Sequence, residues 1–185
     1  MSDENLLSFI HELGHLKKVK REGWRLSGVE FPESVADHSL RVAQIAFILA
    51  KKENFPNPFR VCTMSVFHDI VETRIQDIHK VANRYMKIDE EQAMHEQTHY
   101  LGEIGKEIFD LCKEAKEKTT IAARIAKDAD ILECAFTAKE YLELGYDSKE
   151  FLDCADRLKT KTAKQLLHKL QKSKAKKWWK DLRKF

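Results

Sequence analysis

Apolar residues recur every three or four positions along most of this chain, which is the spacing of one face of an α-helix. Residues 3–20 show the pattern first, at Leu6, Leu7, Ile10, Leu13 and Leu16. The same periodicity predicts further helices at about 35–53, 59–73, 121–144 and 148–171, and a longer polar-apolar pattern covers residues 89–116. The chain is therefore predicted to be helical over most of its length.

Short local signals indicate where these helices begin and end. Ser34 opens the second helix, and Asp37 three residues later makes a weaker version of a capping box. Pro56 and Pro58 mark the next turn, and Gly145 ends the alanine-rich helix. These positions divide the pattern into separate helices.

Six glycines and three prolines in 185 residues leave little material for strand-turn-strand structure. We therefore predict an all-α fold, a single helical bundle of about six or seven helices. The length fits one domain with a sizeable core. We assign residues 1–150 to the main domain and 151–185 to a C-terminal helical extension with a basic end, packed on the same domain or at a dimer contact.

Charge is distributed unevenly along the chain. Residues 159–185 contain eleven Lys and Arg residues and one acid, Asp181, whereas the rest contains 22 basic and 29 acidic residues. A basic segment beside an acidic body favours packing on that body or on a second subunit, and apolar positions support this at Leu166, Leu167, Leu170, Trp178, Trp179 and Leu182. Nucleic-acid binding by this segment is the less favoured interpretation.

Cysteine usage and hydropathy bear on the cellular compartment. Four cysteines lie far apart among apolar neighbours, which favours buried free thiols in a reducing cytosol, at Cys62, Cys112, Cys134 and Cys154. No stretch has the length and apolarity of a membrane span, and the first residues lack the features of a secretory signal. We expect a cytoplasmic protein without membrane contact.

Polar residues interrupt the apolar stretch VFHDIVET at residues 66–73. On a helix His68 and Glu72 share one face, with Asp69 at its edge. Burying such groups is unfavourable unless something satisfies them, and imidazole with carboxylate suits a divalent cation. Two ligands hold a metal poorly, so we expect others from neighbouring apolar helices.

Three acidic or imidazole side chains on other helices are candidates for the missing ligands. His38 lies in an apolar helix, and Asp128 and Asp130 lie in RIAKDADILECAF. Carboxylates are rarely buried without a partner. Positions two apart on a helix differ by about 200° in direction, so one of the two aspartates should face the site. Periodicity leaves open which one.

Four blocks of sequence, in their order and spacing, together resemble the HD-domain 5′-deoxynucleotidases. They are RxGW from Arg21, PESVADHSLRVA at 32–43, HDxxETxxxDI from His68 and KDADxLE at 127–133. The resemblance covers about residues 5–145. It implies an HD domain at 1–150 and metal-dependent hydrolysis of deoxynucleoside 5′-monophosphates to deoxynucleosides and phosphate.

The resemblance also implies roles for individual residues. One divalent ion (Co²⁺, Mn²⁺, Zn²⁺, Mg²⁺ or Fe²⁺) would be bound by four side chains, His38, His68, Asp69 and Asp130. Asp130 is chosen by aligning the last block, and Asp128 is then expected to be exposed. Glu72 and Asp77 would handle the attacking water and the proton transfers, with Asp77 reaching back from a loop beyond the helix end.

The segment KREGWRLSGVEFPES is predicted to be a loop, because it contains Gly23, Gly28 and Pro32. The resemblance implies that an arginine and Trp24 of this loop contact the nucleotide phosphate and sugar, and that the indole disfavours a 2′-hydroxyl. Arg21 and Arg25 are both candidates for the phosphate. Trp24 could instead anchor the core. Members of the family are commonly dimers, so we expect a homodimer.

Two other interpretations stay open at this point. An HD core that recruits His79, His95 or His99 would be a two-metal phosphodiesterase or a di-iron oxygenase, although EEQAMHEQTHY is typical of a solvated face. A non-enzymatic HD scaffold would instead bind nucleotides, or nucleic acid through the basic tail. The number of bound ions per chain distinguishes the two-metal enzymes from a one-metal enzyme. Deletion of residues 172–185 should abolish binding by the scaffold and leave nucleotide hydrolysis by an enzyme largely unchanged.

Overall fold

A computed structural model describes residues 2–183 of the chain. Over that range the chain is helical and contains no β-strand, which confirms the all-α prediction. The described residues contain ten α-helices, more than the six or seven predicted. They are α1 (Asp3–Gly14), α2 (Val35–Lys52), α3 (Pro58–Phe67), α4 (Glu72–Ile75), α5 (Lys80–Asn83), α6 (Glu90–Thr98), α7 (Gly102–Glu117), α8 (Ile121–Leu144), α9 (Lys161–Lys172) and α10 (Lys177–Leu182). The larger number arises because turns divide the predicted segments 59–73 and 89–116, and because α5 and α10 are short helices outside the predicted ones.

The centre of the fold is α8, a helix of 24 residues that packs against α2, α3, α7 and α9. Its buried positions include many alanines, among them Ala123, Ala129 and Ala135, which are fully buried. Small side chains at a helix contact let the helix axes approach closely. The close packing brings the acidic residues of α8 beside the first turns of α2.

The start of α2 is held by a complete capping box, as the sequence predicts. The backbone N–H of Asp37 donates to Ser34 Oγ (3.1 Å), and the backbone N–H of Ser34 donates to Asp37 Oδ2 (2.9 Å). Both orphan donors at the helix start are therefore satisfied. The capping box fixes the turn that carries His38, which follows Asp37 directly.

The predicted helix at 59–73 is wrong in its second half. Helix α3 ends at Phe67, residues 68–71 form a turn, and α4 begins at Glu72. In the turn the backbone N–H groups donate three residues back, for example from Glu72 to Asp69 (3.1 Å). This tighter spacing aligns residues three apart rather than four apart. Glu72 is therefore turned toward Asp69, and both carboxylates lie near Arg21 Nη1.

Three other predicted segments differ from the structure in the same way. The first helix ends at Gly14 and continues as a 3₁₀ turn, and residues 22–27 of the predicted loop form another 3₁₀ helix. The segment 148–171 contains two 3₁₀ turns before α9 begins at Lys161. By contrast, α8 covers Ile121–Leu144 as predicted, and Gly145 ends it with φ +100°, a conformation that favours glycine.

The expectation that Asp128 is exposed is wrong, because the residue is fully buried. Its carboxylate accepts the backbone N–H of Lys159 (2.9 Å) and of Thr160 (2.6 Å). Thr160 is the N-cap of α9. A carboxylate at a helix start satisfies orphan N–H groups. Asp128 therefore fastens the segment before α9 to α8.

Replacing Asp128 with alanine is expected to lower the free energy of unfolding by about 2–4 kcal/mol, because two backbone N–H groups lose their acceptor. Denaturant unfolding followed by circular dichroism measures the change. The exposed Asp110 on α7 is the matched control, and its alanine variant should stay within about 0.5 kcal/mol of wild type. An unchanged midpoint for the Asp128 variant would contradict this account.

The C-terminal segment divides into a buried and an exposed part. Leu167 and Leu170 of α9 lie in the core that α2 and α8 share. On α10, Trp178 and Leu182 are 72% and 61% exposed. The division of the chain at residue 150 stays a prediction.

Two further sequence predictions concern the cysteines and the membrane. All four cysteines are free, as predicted, although Cys62 and Cys134 are only partly buried. Within residues 2–183, no helix has the length and apolarity needed to span a bilayer.

Candidate metal centre and active site

The predicted metal ligands meet where α2, α8 and the turn after α3 come together. One ligand atom each from His38, His68 and Asp130 lies within 4.8 Å of the others. His38 Nε2 lies 3.3 Å from Asp130 Oδ1. Asp69 Oδ2 lies 3.1 Å from His68 Nε2 and 3.7 Å from His38 Nε2. The structure therefore brings His38, His68 and Asp130 together, with the Asp69 carboxylate beside both imidazoles.

The donor set at this point fits a divalent metal ion. The Nε2 atoms of His38 and His68 are buried and have no hydrogen-bond partner within residues 2–183. Buried polar atoms without a partner are rare in native proteins and call for an explanation. Two imidazole nitrogens with carboxylate oxygens suit Zn²⁺, Mn²⁺, Co²⁺ or Fe²⁺. A bound cation would satisfy both nitrogens.

The opposite nitrogen of each imidazole is held by the protein. His68 Nδ1 donates to the carbonyl oxygen of Ser65 (2.9 Å), and His38 Nδ1 donates to the Glu133 carboxylate. Such contacts fix the ring orientation and leave Nε2 available to a metal. Both imidazoles are therefore oriented for ligation.

Glu133 is a residue of this site to which the sequence assigned no role. It is fully buried, and its Oε1 accepts from Arg41 Nε and from Thr137 Oγ1, both at 2.9 Å. The available signal was a glutamate three residues after Asp130 on an alanine-rich, buried helix face. Its observed contacts make it a residue that positions His38.

Glu133→Gln should weaken metal binding by roughly 10- to 100-fold, because the amide orients and polarises His38 less well than the carboxylate. Competition with a chelator measures the affinity. Glu140→Gln is the matched control, since Glu140 also pairs with Arg41 but belongs to the surface end of the network. Equal affinities of both variants and the wild type would contradict the role of Glu133.

A cluster of acids surrounds Arg21 next to the metal ligands. Arg21 Nη1 lies 3.3 Å from Asp77 Oδ1, 3.8 Å from Asp69 Oδ2 and 4.0 Å from Glu72 Oε1. Asp77 follows α4 in the irregular segment 76–79, in agreement with the predicted loop. Its Oδ2 accepts the backbone N–H of Glu22 (2.7 Å). Asp77 thus ties the segment that contains Arg21 to the site.

Glu72 lies in this cluster in an unusual electrostatic environment. Burial, together with the charges of Asp69 and Asp77, raises the pKa of the Glu72 carboxyl to about 9. Its Oε2 is buried and has no hydrogen-bond partner among the described residues. A nearby cation would favour the ionised form. A carboxyl that can gain and lose a proton beside a metal is suited to general acid–base catalysis.

Without a metal, the surroundings of His38 favour its protonated form. Burial and the charge of Arg21 oppose that proton, but the carboxylates of Asp130 and Glu133 outweigh them and raise the pKa of His38 to about 10. A metal at Nε2 must displace this proton. Proton and metal therefore compete for the same nitrogen.

Metal affinity should consequently rise with pH, by about tenfold per pH unit for one displaced proton, between about pH 6 and about pH 8. The affinity rises with pH because a lower pH favours the protonated form of His38, which cannot bind the metal. Mn²⁺ affinity measured at several pH values tests this slope. An affinity independent of pH would show that no proton leaves when the ion binds.

The three predicted substrate-binding residues have different surroundings. Arg21 lies in the acid cluster described above. Trp24 is only 3% exposed, packs against Tyr141 and Phe151, and donates its indole N–H to Glu33 (3.1 Å), all of which are contacts of a core anchor. Arg25 pairs with Glu22 (2.8 Å) and donates to a backbone carbonyl. Contact of these residues with a nucleotide stays a prediction.

The histidines considered for a second metal have other contacts. His79 Nδ1 accepts the backbone N–H of Ala82 (3.2 Å) at the start of α5. His95 and His99 stack with their ring centroids 5.3 Å apart. In the part of the chain that the structure describes, none of the three joins a group of three or more ligating side chains. Their arrangement gives no support to a second ion.

Comparison with known proteins identifies the class to which the fold and site belong. Residues 13–174 match the HD domain family, and the chain therefore belongs to the HD-domain family. A solved structure of a conserved hypothetical protein from Pyrococcus furiosus is 27% identical and superposes with a TM-score of 0.75, over 90% of this chain and 99% of that one.

Within the family, the relatives of this chain include proteins named 5′-deoxynucleotidase. The relative from Dictyostelium discoideum is 38% identical over 147 residues, which are 74% of this chain and 77% of that protein. The human relative is 32% identical over 156 residues, 82% of this chain and 76% of that protein. The resemblance based on the four sequence blocks is thereby confirmed.

Proposed function

We propose that this chain is a metal-dependent 5′-deoxynucleotidase that hydrolyses deoxynucleoside 5′-monophosphates to deoxynucleosides and phosphate. One observation carries the proposal. Two buried imidazole nitrogens that have no hydrogen-bond partner within residues 2–183 lie beside the carboxylates of Asp69 and Asp130, in a chain with relatives named for this activity. His38, His68, Asp69 and Asp130 are the proposed ligands.

The chemistry of the proposed reaction follows from these groups. A divalent ion held by His38, His68, Asp69 and Asp130 would supply acidified water and would offset negative charge on the phosphoryl oxygens. Glu72 takes a proton from the attacking water and returns one to the 5′-oxygen as its bond to phosphorus breaks. Asp77 holds the Arg21 guanidinium, a cation suited to phosphate oxygens, and completes the pair of acids at the site.

We propose one ion per chain. Residues 2–183 contain two groups of ligating side chains, one formed by His38, His68 and Asp130 and the other by His38, Glu133 and Cys134. Both groups contain His38, so they cannot be filled independently. The second group includes Cys134, and burial raises the pKa of its thiol to about 12. A metal needs the thiolate, so this group is the poorer site at neutral pH.

Assembly, location and the basic tail stay predictions. We expect a homodimer in the cytoplasm, with residues 172–185 dispensable for hydrolysis. Nucleic-acid binding that requires those residues would favour the scaffold interpretation instead.

Phosphate release from a panel of deoxynucleoside and nucleoside 5′-monophosphates tests the proposal, with Co²⁺, Mn²⁺, Mg²⁺ or Zn²⁺ added in turn. The deoxy substrates should be hydrolysed faster, and a chelator should stop the reaction. The absence of release from every nucleotide, by protein shown to contain metal, would refute the proposal. Preferential cleavage of a phosphodiester by protein with two ions would favour the phosphodiesterase.

A further inference from the structure

Lys127 lies on α8 one turn before Asp130, on the wall of a cavity that opens beside the proposed metal centre. The cavity has a volume of about 210 Å³, and its lining also includes His68, Asp69 and Asp130. The lysine belongs to the KDADxLE block, yet the sequence suggests no role for it. Its position places a positive charge next to the proposed reacting centre.

The two oxygens of Asp130 have different partners. Oδ1 lies 3.3 Å from His38 Nε2, on the side of the proposed metal, and Oδ2 makes an ion pair with Lys127 Nζ. The Lys127 side chain is 36% exposed and belongs to the lining of the cavity. The lysine therefore leaves the metal-facing oxygen of Asp130 free.

Other cations near the cavity are less well placed to meet a phosphoryl group at the metal. Lys116 pairs with Glu90 (3.0 Å), and Lys118 is an exposed residue at the end of α7. Arg21 lies in the acid cluster and does not belong to the lining of this cavity. Among the described residues that line the cavity, Lys127 is the lysine that contacts a proposed metal ligand.

The charge of the divalent ion is already offset in part by the carboxylates of Asp69 and Asp130, so a phosphomonoester dianion at the site would bring an excess of negative charge. The charge on its oxygens is also redistributed as the ester bond breaks. Fixed positive groups aimed at those oxygens stabilise the transition state. A lysine ammonium group is a compact point charge with three donors on a flexible stem. It can therefore keep one contact with Asp130 and donate another hydrogen bond into the cavity.

We infer that Lys127 is a further catalytic residue, whose ammonium group donates to a nonbridging oxygen of the phosphoryl group and stabilises the charge on it during cleavage. The inference rests on the proposed function. The competing explanation is an ion pair within one helix that only supports α8. Lys139 and Glu143 make such a pair on the same helix (4.0 Å), and Lys139 does not line this cavity, so it serves as the matched control.

The test compares wild type with Lys127→Met, Lys127→Arg and Lys139→Met. Each protein is measured for metal content, for kcat and KM with dAMP, and for binding of inorganic phosphate by calorimetry in the metal-loaded form. We expect Lys127→Met to keep its metal, to lose roughly 100-fold in kcat, and to bind phosphate roughly tenfold more weakly. Lys127→Arg should recover part of both losses, and Lys139→Met should match wild type.

Two results would overturn the inference while leaving the proposed function intact. One is a Lys127→Met enzyme with wild-type kcat and phosphate affinity. The other is a loss of rate that disappears at saturating metal with phosphate affinity unchanged, which would make Lys127 a residue that only positions Asp130. A wild type that contains metal and releases no phosphate would instead refute the proposed function, and the catalytic role of Lys127 with it.

Discussion

Glu72→Gln is expected to lower kcat for dAMP by roughly 10²- to 10⁴-fold while the protein keeps its metal. Glutamine preserves the shape of the side chain but cannot take up and return a proton. Glu72 Oε1 lies 4.0 Å from Arg21 Nη1 and, among the described residues, not within that distance of either imidazole, and its Oε2 has no hydrogen-bond partner there. Its loss should therefore affect the proton transfers rather than the metal.

Steady-state kinetics and metal analysis of the same preparation check this prediction. Glu107→Gln, at an exposed position of α7, is the matched control and should behave as wild type. Loss of metal together with rate in the Glu72 variant would assign that residue to the metal rather than to the water.

His68→Ala is expected to abolish stable metal binding and to reduce the rate at limiting metal on the order of 10³-fold or more, because the ion loses one of two imidazole ligands. His68 Nε2 has no other partner in the described part of the chain. Truncation therefore removes a ligand without breaking a side-chain hydrogen bond at that nitrogen. Metal content after dialysis and kcat at fixed metal concentration measure the effect.

His95→Ala supplies the control for this experiment and also tests the two-metal interpretation. His95 stacks on His99 and belongs to no ligating group in residues 2–183. Its replacement should leave both metal content and rate unchanged. Loss of an ion from the His95 variant, with His68→Ala unaffected, would reverse the assignment of the site.

His38, His68 and Asp69 could be proposed as ligands because each is a polar residue in an apolar helical context. Asp130 could be proposed only from the family resemblance, because Asp128 has the same context and periodicity does not choose between the two. The structure adds the arrangement in space. His38 and Asp130 come from different helices whose close approach depends on the alanines of α8.

Other features depend on contacts that a periodic pattern does not contain. Asp128 is buried because the backbone of Lys159 and Thr160, far away in sequence, reaches its carboxylate. Trp24 is enclosed by aromatic rings that come from the C-terminal half of the chain. Neither contact has a local signature in the sequence.

The sequence pattern does not predict the turn between α3 and α4, for a different reason. The apolar pattern of residues 59–73 continues through it, so periodicity alone predicts one helix. A few hydrogen bonds of 3₁₀ type are enough to change the direction of the side chains. Asp69 and Glu72 are brought together by that change, and the acid cluster around Arg21 depends on it.

Titration of the metal-free protein with Mn²⁺, with phosphate release from dAMP followed at each addition, tests the central claim most directly. The rate should rise in proportion to bound metal and reach its maximum at one ion per chain. No phosphate release at any metal content, or a rate that appears only after a second ion has bound, would contradict a single-metal nucleotidase built on His38, His68, Asp69 and Asp130.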